Sequence, residues 1–272
     1  MSLDRNDHVD NSLPPKRGTL KHLPGMVDRM AITGNPGEKE KINALIEALE
    51  AVDIADFLPE GVKGRIVDSP MPIGNEEYQV NMTRPLLSMK MLLELDVGPG
   101  QTVLEIGYGS GFVTALLAHL VGPQGRVVGL EIHPDIAKFG EQNIGKYPEL
   151  KRRIKLYTDD AALLTRTSVA QALGAQQQTV KGFDRIFCAA QMLKIPDSIA
   201  VLLERDGVMI LPKQHEARLP HIAYIKKAVW FGDKLITINP GIGHPMPAIF
   251  IPFMRKDEQG RFVQNNGETH GK

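Results

Sequence analysis

The 272-residue sequence contains a single cysteine, Cys188, no excess of charge of either sign, and no hydrophobic run of membrane-spanning length. A lone cysteine excludes an internal disulfide and a cysteine-based zinc cluster, and it suits a reducing cytoplasm. The 32 basic and 32 acidic residues cancel, so no overall field draws in nucleic acid or an anionic membrane surface, and neither is expected as a partner. The longest apolar stretch, Phe112 to Val121, is interrupted by Thr114 and His119 and falls far short of the ~20 residues a span requires. Residues 1–24 carry early acidic residues and no apolar centre, so they read as a flexible arm and not as a secretory signal. No repeat, low-complexity tract or compositional shift marks a second domain. The expected organisation is an arm over 1–24, a single domain over 25–253 with a helical subregion over 25–100, and a polar tail over 254–272.

Asn35, Pro36 and Glu38 form a helix-start signal, and Ile42, Leu45, Ile46 and Leu49 then share one helical face, with an end expected near Phe57-Leu58-Pro59. A loop, DSPMPIGNEEYQ, leads to a second amphipathic segment built on Leu86, Leu87, Met89, Leu92 and Leu93 and closed by Gly98-Pro99-Gly100. The pattern then changes. Short apolar runs, TVLEIG, RVVGLEI, RIKLYTD, DRIFCAA and GVMILP, alternate with the helical stretches FVTALLAHLV, DIAKFGEQNI and PDSIAVLLER. Such alternation predicts an α/β fold, a doubly wound and mostly parallel sheet covered on both faces. IAYIKKAVWF and AIFIPF have no helix between them and predict an antiparallel pair at the C-terminal edge.

The densest motif is V-L-E-I-G-Y-G-S-G-F, Val103 to Phe112, a glycine-rich turn between a strand and a helix. Gly107, Gly109 and Gly111 allow a ligand to approach backbone where a Cβ would intrude. The dinucleotide pattern G-x-G-x-x-G is not met: its third glycine position is Phe112 counting from Gly107, and Thr114 counting from Gly109. No Gly-Lys-Ser/Thr follows, which excludes a Walker loop. The hydrolase elbow fails because its central position is Gly109 and not Ser110. What remains resembles the E-x-G-x-G-x-G loop of class I methyltransferases.

S-adenosyl-L-methionine, the cofactor this implies, has no phosphates but carries a sulfonium, an ammonium, a carboxylate and a ribose diol, and acids suit it. Glu105 is placed to favour the cationic methionyl end. Glu131, ending the next strand, is placed to accept from the ribose hydroxyls, and Asp159 or Asp160, after the third, from the adenine amino group. Tyr108, inside the loop, and Ile132, next after Glu131, are counted with the cofactor set. Each acid has a plainer reading, Glu131 as a surface helix cap and Asp159-Asp160 as an N-cap pair, but their order on successive strands beside the glycine turn favours the ligand.

The resemblance extends further along the chain. DSPMPIG resembles the D-x-P-x-P-I-G segment of protein-L-isoaspartate O-methyltransferases, and Asn81-Met82-Thr83-Arg84-Pro85 stands where that family has T-I-S-x-P. GFDRIFCAAQMLKIPDSIAVLLERDGVMILP and AIFIPF are similar to its later segments, so the likeness spans about Pro24 to Phe253. The resemblance implies methyl transfer to the free carboxylate of L-isoaspartyl residues in damaged proteins or peptides, with repair through a succinimide. It assigns to Thr83 the hydroxyl that faces the acceptor; the other reading of Thr83 is a turn or cap hydroxyl. The departures gather on the acceptor side: the loop between Gly74 and Thr83 is longer, Thr83 replaces Ser, Leu86 replaces an aromatic or His, and Ala161 to Lys181 is extended. Two other functions therefore stay open, carboxyl methylation of one dedicated peptide during its maturation and cofactor binding without catalysis.

The remaining candidates read as structural. Cys188 sits in an apolar strand and His119 in an apolar helix, the eight histidines have no ligand spacing, and no metal is expected. Lys226-Lys227 and Lys151-Arg152-Arg153 read as solvated charge, and Trp230 as packing.

Overall fold

The computed structural model describes residues 23–28, 36–63, 66–74, 79–165, 167–168, 182–214, 223–240, 247–248, 254–257, 259 and 261–264. The expected arm over 1–22, Asn35 as helix cap, AIFIPF beyond Ala248 and most of the extension after Ala161 lie outside them. Residues 23 and 24 belong to a helix, α1 (Leu23–Asp28), in which Leu23 is buried.

Helix α2 (Pro36–Ala51) buries Ile42, Leu45 and Ala48 and stops at Ala51, earlier than its apolar pattern predicts. Asp53 turns the chain instead, accepting from the backbone N–H of Ala55 to cap a separate 3-10 turn over Ile54–Phe57. A small hairpin of β1 (Met71–Pro72) and β2 (Asn81–Met82) precedes α3 (Pro85–Leu95), which ends on Asp96 in the left-handed conformation at φ 59°. Then come β3 (Thr102–Ile106), α4 (Phe112–Leu120), β4 (Arg126–Glu131), α5 (Pro134–Ile144), the short α6 (Pro148–Lys151), β5 (Ile154–Thr158) and β6 (Phe183–Cys188).

The expected helix in PDSIAVLLER shrinks to one turn, Asp197–Ala200, because Leu203 already pairs with Phe183 and opens β7 (Leu203–Gln214) ahead of a register shift. β8 (Ala223–Phe231) runs antiparallel to β7. Its other edge pairs with β9 (Lys234–Ile238), through a tight turn at Gly232, and with β10 (Pro247–Ala248). The antiparallel C-terminal strands are thus present, and β9 is an addition to the expectation. Within the segment read as a polar tail, Met254–Lys256 and Phe262–Gln264 form an antiparallel pair of their own.

The sheet order is β10-β8-β7-β6-β3-β4-β5, parallel from β7 to β5. Alternation along each strand divides the core. Val103, Val127, Phe187 and Ile210 face the layer of α1 to α6, while Leu104, Val128, Ile186 and Met209 face a second layer that includes Ile199 and Leu202. The chain leaves β3 towards β4 and β5 and returns on the other side as β6, so the order reverses beside β3, the place where open α/β sheets carry their ligand crevice. Among the described residues no helix is long and apolar enough to cross a membrane.

Candidate active site

The glycine turn follows β3 at this reversal. Gly107, Gly109 and Gly111 have φ of 79°, 53° and 87°, conformations that residues with a Cβ rarely adopt. Gly111 starts α4, and a methyl there would stand 3.0 Å from Ile144 Cγ1 and 3.2 Å from the carbonyl oxygen of Gly140. The backbone N–H groups of Gly107 and Tyr108 donate to the carbonyl of Leu130 at 2.7 and 3.2 Å, which binds the turn to the end of β4.

Helix α5 forms the support beneath the turn. Gly140 lies so close that a methyl added to it would stand 2.5 Å from the carbonyl oxygen of Gly109 and 2.7 Å from Cε2 of Tyr108. Buried Asn143 donates to the carbonyl of Ser110 at 3.1 Å, and the Tyr108 hydroxyl donates to the carbonyl of Ala137 at 3.3 Å. The Tyr108 ring therefore points under the turn, also against Gly129, and only its backbone is left to a ligand above. Gly140 and Asn143 were not candidates in the sequence; a glycine inside a helical run was the one available signal.

Glu131, the last residue of β4, is 5% exposed. Its Oε2 accepts from Gly109 N–H and its Oε1 from His133 N–H, both at 3.1 Å. Burial raises its pKa, and the backbone donors His133, Gly109 and Ile132 oppose the rise. Ile132 is half-buried beside it. Glu105, inside β3, is 1% exposed and accepts from the Thr114 hydroxyl of α4 at 2.6 Å. Burial pushes its carboxyl up to about 8; the Thr114 hydrogen bond opposes this and the Glu131 charge adds to it.

After β5 the two aspartates part. Asp160 is buried, and its side chain accepts from the Ala162 backbone N–H at 2.8 Å, the N-cap arrangement the sequence left open. Asp159 is exposed, accepts from Asp160 N–H, and donates its own N–H to the carbonyl of Glu131 at 3.1 Å. One continuous network thus joins the glycine turn, Glu131 and the end of β5. The turns after β3, β4 and β5 hold Glu131 at the rim, Asp159 and Asp160, and no lysine or arginine, a donor set suited to a cationic ligand with a diol and unsuited to phosphates.

On the acceptor side, β1 and β2 pair Met71 with Met82 and Pro72 with Asn81. Buried Ile73 packs on the glycine turn, its Cδ1 lying 3.2 Å from where a Gly109 Cβ would stand, and Ile73 and Gly74 N–H both donate to the carbonyl of Val80. Thr83 follows β2, half-buried, one residue before Arg84 at the N-cap position of α3, so it is not the cap itself. The helix N-terminus is instead met by Asp68, which accepts from Leu86 N–H and from Arg84 Nε, each at 2.8 Å.

The residues set aside behave as packing groups. Cys188 is buried, donates to the carbonyl of Ala190, and its thiol is pushed up to about 12 by burial. Trp230 donates to the carbonyl of Leu203 under the Arg205 guanidinium, which sits 4.5 Å from its ring centre. Among the described residues no group of three or more His, Cys, Asp or Glu side chains is arranged to hold a metal ion.

Comparison with known proteins agrees with this geometry. Residues 37–240 match the family model for protein-L-isoaspartate (D-aspartate) O-methyltransferase. A protein-L-isoaspartate O-methyltransferase of Methanopyrus kandleri is 33% identical over 171 residues, 62% of this chain and 69% of that protein. One of Triticum aestivum is 30% identical over 196 residues, 65% of this chain and 79% of its own. A solved structure from Plasmodium falciparum, described as a protein-L-isoaspartate O-methyltransferase in complex with S-adenosyl-L-homocysteine, has a TM-score of 0.64 at 19% identity and covers 85% of this chain and 96% of that one, which shows the shared fold. With three quarters of its length, residues 37–240, inside the family model, this chain belongs to the protein-L-isoaspartate (D-aspartate) O-methyltransferase family.

Proposed function

We propose that this chain transfers a methyl group from S-adenosyl-L-methionine to the free carboxylate of L-isoaspartyl residues in proteins or peptides. The observation that carries the reading is the acid-lined glycine turn at the sheet reversal with Ile73 of the motif hairpin packed onto it, in a chain of this family. A buried thiol and the absence of a disulfide suit the cytoplasm as its compartment.

Glu131 is the proposed acceptor for the ribose hydroxyls: its oxygens take the N–H groups of Gly109 and His133, Ile132 N–H adds a third donor, and of the about four acceptor sites of a carboxylate one remains for the diol. Glu105 favours the cationic methionyl end, Gly107, Tyr108, Gly109 and Gly111 present backbone, and Ile132 offers apolar surface. Of the aspartates, each of which accepts one backbone N–H, exposed Asp159 is the more accessible partner for the adenine amino group and Asp160 is buried. When bound, the cofactor supplies an electrophilic methyl group on a cationic sulfur.

The acceptor carboxylate has a reference pKa near ~4 and is already ionised at neutral pH, so this chain needs no strong base. Its task is alignment. Thr83 donates its hydroxyl to one acceptor oxygen and leaves the other to face the methyl carbon, and such positioning supplies about 7 to 11 kcal/mol in well-oriented systems. The ester then closes to a succinimide as the neighbouring backbone nitrogen attacks its carbonyl carbon, the ester C–O bond breaks and methanol leaves with the amide proton, a step that requires no group of the enzyme.

The direct test supplies an isoaspartyl peptide and its aspartyl counterpart. The expected product is a base-labile methyl ester on the isoaspartyl peptide alone, read as methanol released by mild alkali; a methyl group that survives alkali overturns the reading. Glu131→Ala is expected to weaken S-adenosyl-L-homocysteine by roughly ten- to a hundredfold in calorimetry, the value of about 1.5 to 3 kcal/mol for hydrogen bonds to a charged group. Thr83→Ser is expected to stay active, whereas Thr83→Val lowers kcat/KM by roughly ten- to a hundredfold with cofactor affinity unchanged. An active Thr83→Val enzyme moves the acceptor role to another residue.

A further inference from the structure

We propose that Asp68 is a positioning residue for the acceptor side, acting on Thr83 through a clasp to Arg84; this rests on the assignment of the Thr83 hydroxyl to the acceptor. Helix α3 has no side-chain cap from its own N-cap residue, which is Arg84, and Pro85 follows at once. The missing partner comes from far upstream. Asp68, whose side chain is 23% exposed against 47% for Arg84, divides its carboxylate between Leu86 N–H through Oδ1 and Arg84 Nε–H through Oδ2, both at 2.8 Å.

The chain between these two residues is the motif hairpin. One arm carries Ile73 onto Gly109, and the other runs through Asn81 and Met82 into Thr83. Its two strands are only two residues long, and pairing on that scale is marginal by itself. The Asp68–Arg84 contact closes the base of the hairpin on the residue next to Thr83. The direction of the Thr83 hydroxyl relative to the glycine turn therefore depends on a carboxylate that touches neither cofactor nor acceptor.

The plainer alternative is that Asp68 merely caps α3, and Asp68→Asn separates the two roles. Asn caps a helix as well as Asp and keeps an oxygen for Leu86, but it sets an amide NH2 against Arg84 Nε–H and opens the clasp. The expected result is an unchanged melting temperature and unchanged S-adenosyl-L-homocysteine affinity, with kcat/KM for an isoaspartyl peptide reduced by about tenfold or more. Combining Asp68→Asn with Thr83→Val is expected to cost little beyond Thr83→Val alone, since both act through one hydroxyl. Wild-type kcat/KM in Asp68→Asn, or losses that multiply in the double variant, overturn the proposal.

Amide hydrogen exchange on the protein saturated with S-adenosyl-L-homocysteine tests the clasp without the reaction. Residues 81–86 are expected to exchange faster in Asp68→Asn while 105–111 keep their protection, and unchanged protection over 81–86 overturns the clasp. If the wild type fails to methylate the isoaspartyl peptide, the acceptor assignment falls, and exchange over 81–86 alone decides whether Asp68 holds the turn.

Discussion

Gly140→Val is expected to abolish measurable binding of S-adenosyl-L-homocysteine while leaving a folded protein. Gly140 lies inside α5 with no unusual backbone angle, so the cause is space and not conformation. Its closest neighbours would be the Gly109 carbonyl oxygen at 2.5 Å and the Tyr108 ring at 2.7 Å, and the first is backbone that cannot rotate away. The helix must move out or the glycine turn must move up, into the space proposed for the cofactor. Gly109 N–H is one of the backbone donors that hold Glu131, so the shift also misplaces the carboxylate. Overpacking of this kind costs about 1 to 3 kcal/mol, within reach of a domain stability of roughly 5 to 15 kcal/mol, whereas the geometry of a ligand turn tolerates far less displacement. Gly140→Ala, which gains about 1 kcal/mol of helix propensity, is expected to bind weakly for the same steric reason. Gly98→Ala serves as the control, since nothing lies within 4 Å of its added methyl and its φ is ordinary. Calorimetry on the three variants decides: wild-type affinity in Gly140→Val would show that α5 is not what shapes the turn.

How far the sequence reaches is visible in the same region. The strands from TVLEIG to GVMILP and the helices FVTALLAHLV and DIAKFGEQNI formed as their patterns predict, because a buried parallel strand and an amphipathic helix each announce themselves over a few residues. The three loop glycines were legible for the same reason, their spacing being local. Gly140 was not, because what demands a glycine there is the backbone of a turn 31 positions earlier in the chain. Asp68 was legible as a motif residue but not as the partner of Arg84 and Leu86, contacts that need the hairpin to fold first.

Other misses came from competing local signals. PDSIAVLLER has the apolar spacing of a helix, yet its Leu202 and Leu203 are taken by the edge of β6, and tertiary pairing prevailed over propensity. The α2 pattern continued past Ala51, but Asp53 offers its side chain to Ala55 N–H, and that local bond stops the helix. β9 left a readable mark in Gly232-Asp233 between apolar runs, a two-residue turn signal. The Asp159-Asp160 pair stayed ambiguous because an N-cap and a ligand contact ask for the same residue type. Folding makes Asp160 the buried N-cap of a 3-10 turn and leaves Asp159 exposed, and burial is not local information.

Glu105 is expected to make the stability of the protein fall as pH rises through neutrality. Its folded pKa of about 8 stands above the ordinary carboxyl value of 4.5, so between those values the folded state holds a proton that the unfolded state has released. Stabilisation from such a group is fully present below the unfolded value and is lost as pH rises through the folded one. At about 1.4 kcal/mol per unit, the effect is of order a few kcal/mol, large beside a total of roughly 5 to 15. Glu131, also raised by burial, adds in the same sense, so Glu105→Gln is expected to reduce the slope of melting temperature against pH between about 5 and 8 without removing it. Gln keeps an oxygen for the Thr114 hydroxyl, which separates charge from packing. In the proposed complex a cationic methionyl group near Glu105 favours the carboxylate, so binding near pH 7 releases a proton. Calorimetry in buffers of different ionisation enthalpy measures that release directly. The wild type is expected to lose a fraction of a proton on binding S-adenosyl-L-methionine, and Glu105→Gln to lose less. Equal release by both, or equal pH slopes of melting temperature, would mean that Glu105 is ionised before the ligand arrives and that its buried contact with Thr114 does not hold the proton.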